Sequence, residues 1–160
     1  MRRDEAIAAI CGAVAAAFYL TGGFVWDDTT LIVQELSSRD LSEMGTLWRQ
    51  PITELGPGSA YYRPVALSFM AVLGKLGPWA IHLTTLLLHA GSCMVLTRLL
   101  GQKRWPLLGG LVFAVHPLAS EVLAWCSAFP DALAVFLGLL SVWLWNRSVG
   151  LALCTLFVAC

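Results

Sequence analysis

Apolar runs too long for a soluble core constrain this sequence more than any motif. Ala6 to Trp26 carries no charge, and at about 1.5 Å per helical residue such a run crosses the roughly 30 Å of bilayer hydrocarbon. Further runs follow at Trp79 to Leu100, Trp105 to about Trp125, Ala132 to Trp145, and Val149 to the last residue. Charged residues make up 12% of the chain and hydrophobic ones 58%, where an average soluble domain is about 25% charged. A soluble fold could not cover its surface with so few ionisable groups. The sequence therefore predicts an all-α, polytopic membrane bundle with spans at about 6–26, 79–100, 105–125, 132–145 and 149–160. A cleaved signal peptide is the rival reading of the first run, because Ala13-Val14-Ala15-Ala16-Ala17 offers small-residue cleavage sites. The equal apolarity of the later runs favours a retained span.

Residues 27–76 have a different character. They hold Asp27, Asp28, Glu35, Asp40, Glu43 and Glu54 with Arg39, Arg49, Arg63 and Lys75, which predicts a long polar loop. Leu31, Ile32 and Leu36, then Leu41, Met44, Leu47 and Trp48, recur near helical spacing, as short amphipathic pieces suited to a membrane surface. Pro51 and Gly56-Pro57-Gly58 break the chain, and Pro64 opens a helix over Val65 to Leu73. Basic residues set the orientation. Arg2 and Arg3, then Arg98, Lys103 and Arg104, then Arg147 alternate correctly if the N-terminus is cytoplasmic and the loop 27–76 extracytoplasmic. Net charge is zero, which gives no footprint for nucleic acid. The five cysteines, none in a CxxC pair, read as small packing residues.

Several groups can carry chemistry. Asp27 and Asp28 lie where the first span leaves the membrane; the pair can share a cation, or one can act while Asp28 caps the next helix. Tyr61-Tyr62-Arg63-Pro64 sets an arginine beside two tyrosines, fit either for a phosphate or for an interfacial belt. His116-Pro117, Glu121 and Asp131 surround the outer ends of the third and fourth spans, and ionisable groups at depth are functional candidates. Glu121 also reads as a hydrated interfacial group, and Asp131 as a helix cap. His82 and His89 share one face of the second span; His89 suits an interhelical hydrogen bond, and His82 lies nearer the outer surface. In the orientation above, Asp27, Asp28, Arg63, His82, His116, Glu121 and Asp131 all fall towards one side.

The order Trp26-Asp27-Asp28, a long outer loop, Tyr61-Tyr62-Arg63-Pro64, a histidine-bearing span and then His116-Pro117-x-x-x-Glu121-x-x-Ala124-Trp125, with Asp131-Ala132-Leu133-Ala134 after it, resembles the N-terminal membrane region of GT-C glycosyltransferases. The closest likeness is to the transmembrane-and-TPR protein O-mannosyltransferases and their bacterial relatives. The resemblance implies transfer of a sugar from a polyprenyl-phosphate donor to a protein, lipid or glycan acceptor outside the cytoplasm. The membrane would be a bacterial inner membrane or the endoplasmic reticulum. It maps a general base, or a ligand to a divalent cation such as Mg2+ or Mn2+, onto Asp28 or Asp27. Arg63, with Tyr62, would meet the donor phosphate, and His82, His116, Glu121 and Asp131 would line the site. Later spans and a TPR region are missing from this sequence, which reads as the front portion of a longer enzyme. Two other readings stand beside it: a non-catalytic scaffold or degenerate relative, and a transporter component with a buried His/Glu/Asp path.

Overall fold

Three helices begin on a proline. Pro64, Pro78 and Pro106 open α2 (Pro64–Leu76), α3 (Pro78–Leu99) and α4 (Pro106–Ala114), where the missing N–H costs nothing and the fixed φ suits the helix. Gly77 turns α2 into α3 at a φ of 107°, a conformation that a side chain would strain. Before them, α1 (Arg3–Ala17) carries Asp4 and Glu5 in its first turn, where acids oppose the positive end of the helix dipole. After them come α5 (Ala119–Ala124), α6 (Phe129–Trp145) and α7 (Val149–Ala159). The computed structural model describes residues 3–49, 52, 62–102, 105–145 and 147–159. Arg2, the predicted break at Pro51 and Gly56-Pro57-Gly58, Glu54, Tyr61, Lys103, Arg104, Asn146 and Cys160 lie outside the described residues. The described residues are helical with no strand, as expected of a membrane bundle.

Three helical stretches, Arg3–Thr21, Pro78–Leu99 and Cys126–Trp145, are long and apolar enough to cross a membrane. The 22-residue α3 is the axis of the bundle, with α1, α4 and α6 around it and α2 beside it. Gly12 lets α1 approach closely: a Cβ there would sit 2.7 Å from Cys93 Sγ on α3, the close backbone contact that small residues permit in membranes. Leu83 and Leu87 on α3, Ile10 and Val14 on α1, and Val135 and Val142 on α6 face outward, as apolar side chains do when lipid is the solvent.

The elements depart from the sequence reading at three places. The first helical stretch stops at Thr21, because Gly22 turns to extended backbone (ψ 148°) and Gly23 follows it. The run 105–125 is two helices rather than one, with Val115 to Leu118 between α4 and α5. Pro117 has no N–H to continue the ladder. The groups freed by the break are paired by histidines: the Leu118 N–H donates to His116 Nδ1 at 3.2 Å, and the Ala114 carbonyl accepts from His89 Nε2 at 3.1 Å. The second of these is the interhelical bond expected of His89. Finally, the amphipathic pieces of the 27–76 region bury their apolar faces in protein. The π-helical Thr29–Leu36 and the 3-10 segment Leu41–Trp48 place Leu31, Ile32, Leu36 and Leu47 against Leu67 and Met70 of α2 and Phe129 of α6. That cluster holds the start of the loop against the start of α6.

Candidate functional site

The chain between α5 and α6 gathers most of the site. Trp125 leads into a single 3-10 turn, Cys126–Ala128, and α6 begins at Phe129. Asp27, Asp28 and His82 reach this connection, and Arg63 reaches the first turn of α6 just after it.

The two adjacent carboxylates diverge. Trp26 has a φ of 50°, rare for a bulky residue and a mark of local strain, and the chain turns there. Asp27 is exposed, and its Oδ1 accepts a hydrogen bond from Trp125 Nε1 at 2.9 Å. The Trp26 and Trp125 rings meet edge to face with centroids 5.8 Å apart. Asp28 is 0% exposed. Its Oδ1 accepts from the Ser127 N–H at 2.7 Å and the Ser127 hydroxyl at 2.6 Å, and its Oδ2 from the Val25 N–H at 3.0 Å. The capping reading of Asp28 is thereby corrected. No side-chain cap bond forms to the helix after it, because the carboxylate is drawn across to residue 127.

A shared cation is not favoured by this geometry. Both Asp28 oxygens already accept protein donors, and among the described residues no three His, Cys, Asp or Glu side chains gather into a set that could hold a metal ion. Among the described residues, Asp27 and Asp28 do not form a ligand set for a divalent cation.

Arg63 Nη1 donates to Asp131 Oδ1 at 2.7 Å across 68 residues. Both side chains are substantially exposed, so the pair is open to exchange of partners. Asp131 lies in the first turn of α6, where the dipole also favours it. Beside Arg63, Tyr62 donates its hydroxyl to the Trp48 carbonyl at 3.1 Å, which anchors the ring to the preceding 3-10 segment. Tyr61 lies outside the described residues.

The histidines sit in different places. His82 is buried beneath the connection. Its Nδ1 donates to the Leu123 carbonyl at 3.2 Å and its Nε2 stands 3.5 Å from Cys126 Sγ. Gly22 closes over it, since a Cβ there would lie 2.9 Å from Nε2. His82 supports the floor of the site and does not open into it. His116 is exposed, and with Asp131 it lines a cavity of about 400 Å³ between α3, α4, α5 and α6, where His89, Phe113, Val122 and Val135 provide much of the remaining wall. Glu121 is exposed on α5, and its side chain is not among those lining that cavity.

Two contributors escaped sequence reasoning. Trp125 falls inside the motif but carried no assigned role, and Ser127 has no local signal at all. Only the fold brings residue 127 within 2.6 Å of residue 28.

No protein-family model and no solved structure matches the chain. Curated relatives do. Protein O-mannosyl-transferase TMTC2 of Mus musculus is 31% identical over 150 residues, covering 83% of this chain and 18% of that protein. The TMTC2 protein of Homo sapiens is 30% identical with the same coverage. Protein O-mannosyl-transferase TMTC3 of Mus musculus is 30% identical over 124 residues, 70% of this chain and 14% of the relative. The chain thus spans less than a fifth of the length of these relatives. Motif and comparison agree, and over most of its own length the chain is a homologue of the transmembrane-and-TPR protein O-mannosyltransferases.

Proposed function

We propose that this chain forms the donor and base side of a GT-C-type glycosyltransferase site, moving a hexose such as mannose from a polyprenyl-phosphate donor to an acceptor hydroxyl on the extracytoplasmic side. The observation that supports it most is convergence on one short connection. Trp125 holds Asp27 and, six residues on, Asp131 holds Arg63. A base and a phosphate-binding cation thereby share one edge of the bundle.

Asp27 rather than Asp28 is the base in this reading. Its carboxylate is exposed and oriented by one indole N–H, whereas Asp28 is sealed in by three donors. Asp27 removes the acceptor proton as the hydroxyl oxygen attacks the anomeric carbon. The bond from that carbon to the phosphate oxygen breaks, and the polyprenyl phosphate leaves with its electron pair. A single displacement inverts the anomeric centre. Arg63 exchanges Asp131 for the donor phosphate and stabilises the charge that grows on it. The largely apolar cavity below His116 and Asp131 has the size and character to take the first isoprene units.

The transporter alternative receives less support. Along α3, Thr84, Ser92 and Thr97 donate their hydroxyls to carbonyls of their own helix, Ala80, Leu88 and Cys93, and not to groups on a neighbouring helix. Membranes carrying the full-length protein, supplied with radiolabelled polyprenyl-phosphate mannose, test the proposal. Transfer of label to membrane acceptors is expected, with its abolition by Asp27→Asn. Wild-type transfer by that variant would exclude Asp27 as the base. No transfer by the unmodified full-length protein would leave the scaffold reading.

A further inference from the structure

At the opposite end of the bundle two guanidinium groups share one indole. Arg98, in the last turn of α3, places its Cζ 4.8 Å from the centroid of the Trp143 ring, and Arg147, just after α6, places its own 4.3 Å from the same ring. Each contact is a favourable cation–π arrangement, but together they bring two positive charges within about 9 Å of one another, a separation that effective dielectrics near a protein surface do not fully screen. The counter-charge beside them is Glu5, 2% exposed, with Oε2 3.5 Å from Arg98 Nη1. Arg147 has no acidic partner among the described residues and is exposed.

The first turn of α1 at the same end carries Arg3 beside the acids Asp4 and Glu5. Exposed apolar and aromatic side chains border the Trp143 platform: Val142 and Trp145 on α6, and Val149 at the start of α7. The pattern is a pair of guanidinium groups gathered on one indole next to a hydrocarbon-facing helix. Arginine forks match phosphate oxygens in pairs, and the adjoining apolar face matches acyl chain. A membrane protein meets such an anion in every anionic phospholipid.

We propose that Arg98, Arg147 and Trp143 form a binding site for the phosphodiester headgroup of an anionic phospholipid. Arg147 is the freer arm, and Arg98 is held in place by Glu5. The site stands at the far end of α1 from Asp27 and does not rest on the glycosyltransferase reading. With the N-terminus cytoplasmic, it meets the leaflet in which anionic lipids concentrate. Occupancy there would fix the junction of α6 with α7, since Arg147 lies between them.

Native mass spectrometry of the full chain, released from vesicles of equal phosphatidylcholine and phosphatidylglycerol, tests the site. Retention of phosphatidylglycerol over phosphatidylcholine is expected. Arg147→Gln should lower it by about tenfold, the scale of losing a charge-assisted hydrogen-bonding partner. Arg147→Lys should lose most of it too, because lysine keeps the charge but not the planar fork or the stacking. Arg49→Gln, an exposed site on the loop 27–76, should change nothing. Full retention by Arg147→Lys would show diffuse attraction to basic residues and overturn the site. Equal loss in Arg49→Gln, or no preference in the unmodified chain, would overturn it as well. Displacement of phosphatidylglycerol by millimolar inorganic phosphate would show that the free anion, and not the lipid, is the ligand.

Discussion

Asp28 and Ser127 stand 99 residues apart and are joined twice at one carboxylate oxygen, by the backbone N–H at 2.7 Å and by the hydroxyl at 2.6 Å. With the Val25 N–H on the other oxygen, the buried Asp28 side chain pins the end of the first helical segment to the start of α6. Asp27 and Arg63 make their own contacts to the same stretch, at Trp125 and Asp131.

Removal of the pin should cost stability in a graded order. Ser127→Ala deletes one donor and leaves the other, costing about 1 kcal/mol. Asp28→Ala leaves two half-buried N–H groups and the Ser127 hydroxyl without their acceptor, costing roughly 2 kcal/mol. Asp28→Asn falls between them, since its amide retains one accepting oxygen. Thermal unfolding of the purified chain in detergent checks the order. An Asp28→Ala variant as stable as wild type would show that the Asp28–Ser127 contact does not organise this end of the bundle.

Trp125→Phe separates orientation of Asp27 from packing. Phenylalanine keeps an aromatic edge for Trp26 and removes the N–H that reaches Asp27. The expected result is a fall in kcat of about tenfold, the worth of one well-placed hydrogen bond to a charged group, with the unfolding temperature little changed. Equal loss of rate and stability would mean that Trp125 serves the fold alone.

The sequence made the membrane class legible because charge-free runs have no other stable solvent. It also made the clustering of Asp27, Asp28, Arg63 and Asp131 legible, because basic residues at alternate turns predicted which ends share a side. Division of labour between the two aspartates was not legible. It depends on the left-handed backbone at Trp26 and on a donor from residue 127, and neither leaves a mark in local pattern. The third run read as one span because Glu121 is its one charged residue between Trp105 and Trp125. Hydropathy measures transfer to lipid, and the interruption is a matter of one absent N–H. His82 looked site-facing from its depth along α3, but Gly22 covers it, and closure by a glycine from a distant extended segment has no signature in either stretch of sequence.

Arg63→Lys tests donor recognition. Lysine retains a positive charge and loses the two-pronged contact with a phosphate. The KM for polyprenyl-phosphate mannose should rise about tenfold, with a smaller change in kcat. Asp131→Asn should raise it less, because the phosphate itself can collect the guanidinium. Neither change should move the unfolding temperature much, since an exposed ion pair is worth roughly 0–1 kcal/mol. An unchanged KM in Arg63→Lys would remove Arg63 from the donor site.

The break between α4 and α5 makes a different demand on its two histidines. His89 supplies the hydrogen bond that the Ala114 carbonyl lost, and it does so in the interior, where Ala114 is 1% exposed. His116 supplies the acceptor for the Leu118 N–H at an exposed position, where water can replace it. His89→Leu therefore strands a buried carbonyl at a cost of about 1–3 kcal/mol, while His116→Ala costs less than 1 kcal/mol by the same reasoning. His89→Gln, whose amide N–H can reach a carbonyl, should recover part of the loss. Thermal unfolding of the three variants side by side measures the contrast. A larger loss in His116→Ala than in His89→Leu would show that the interruption at Pro117 is held from its solvent side, and the assignment of His89 as its buried support would fall.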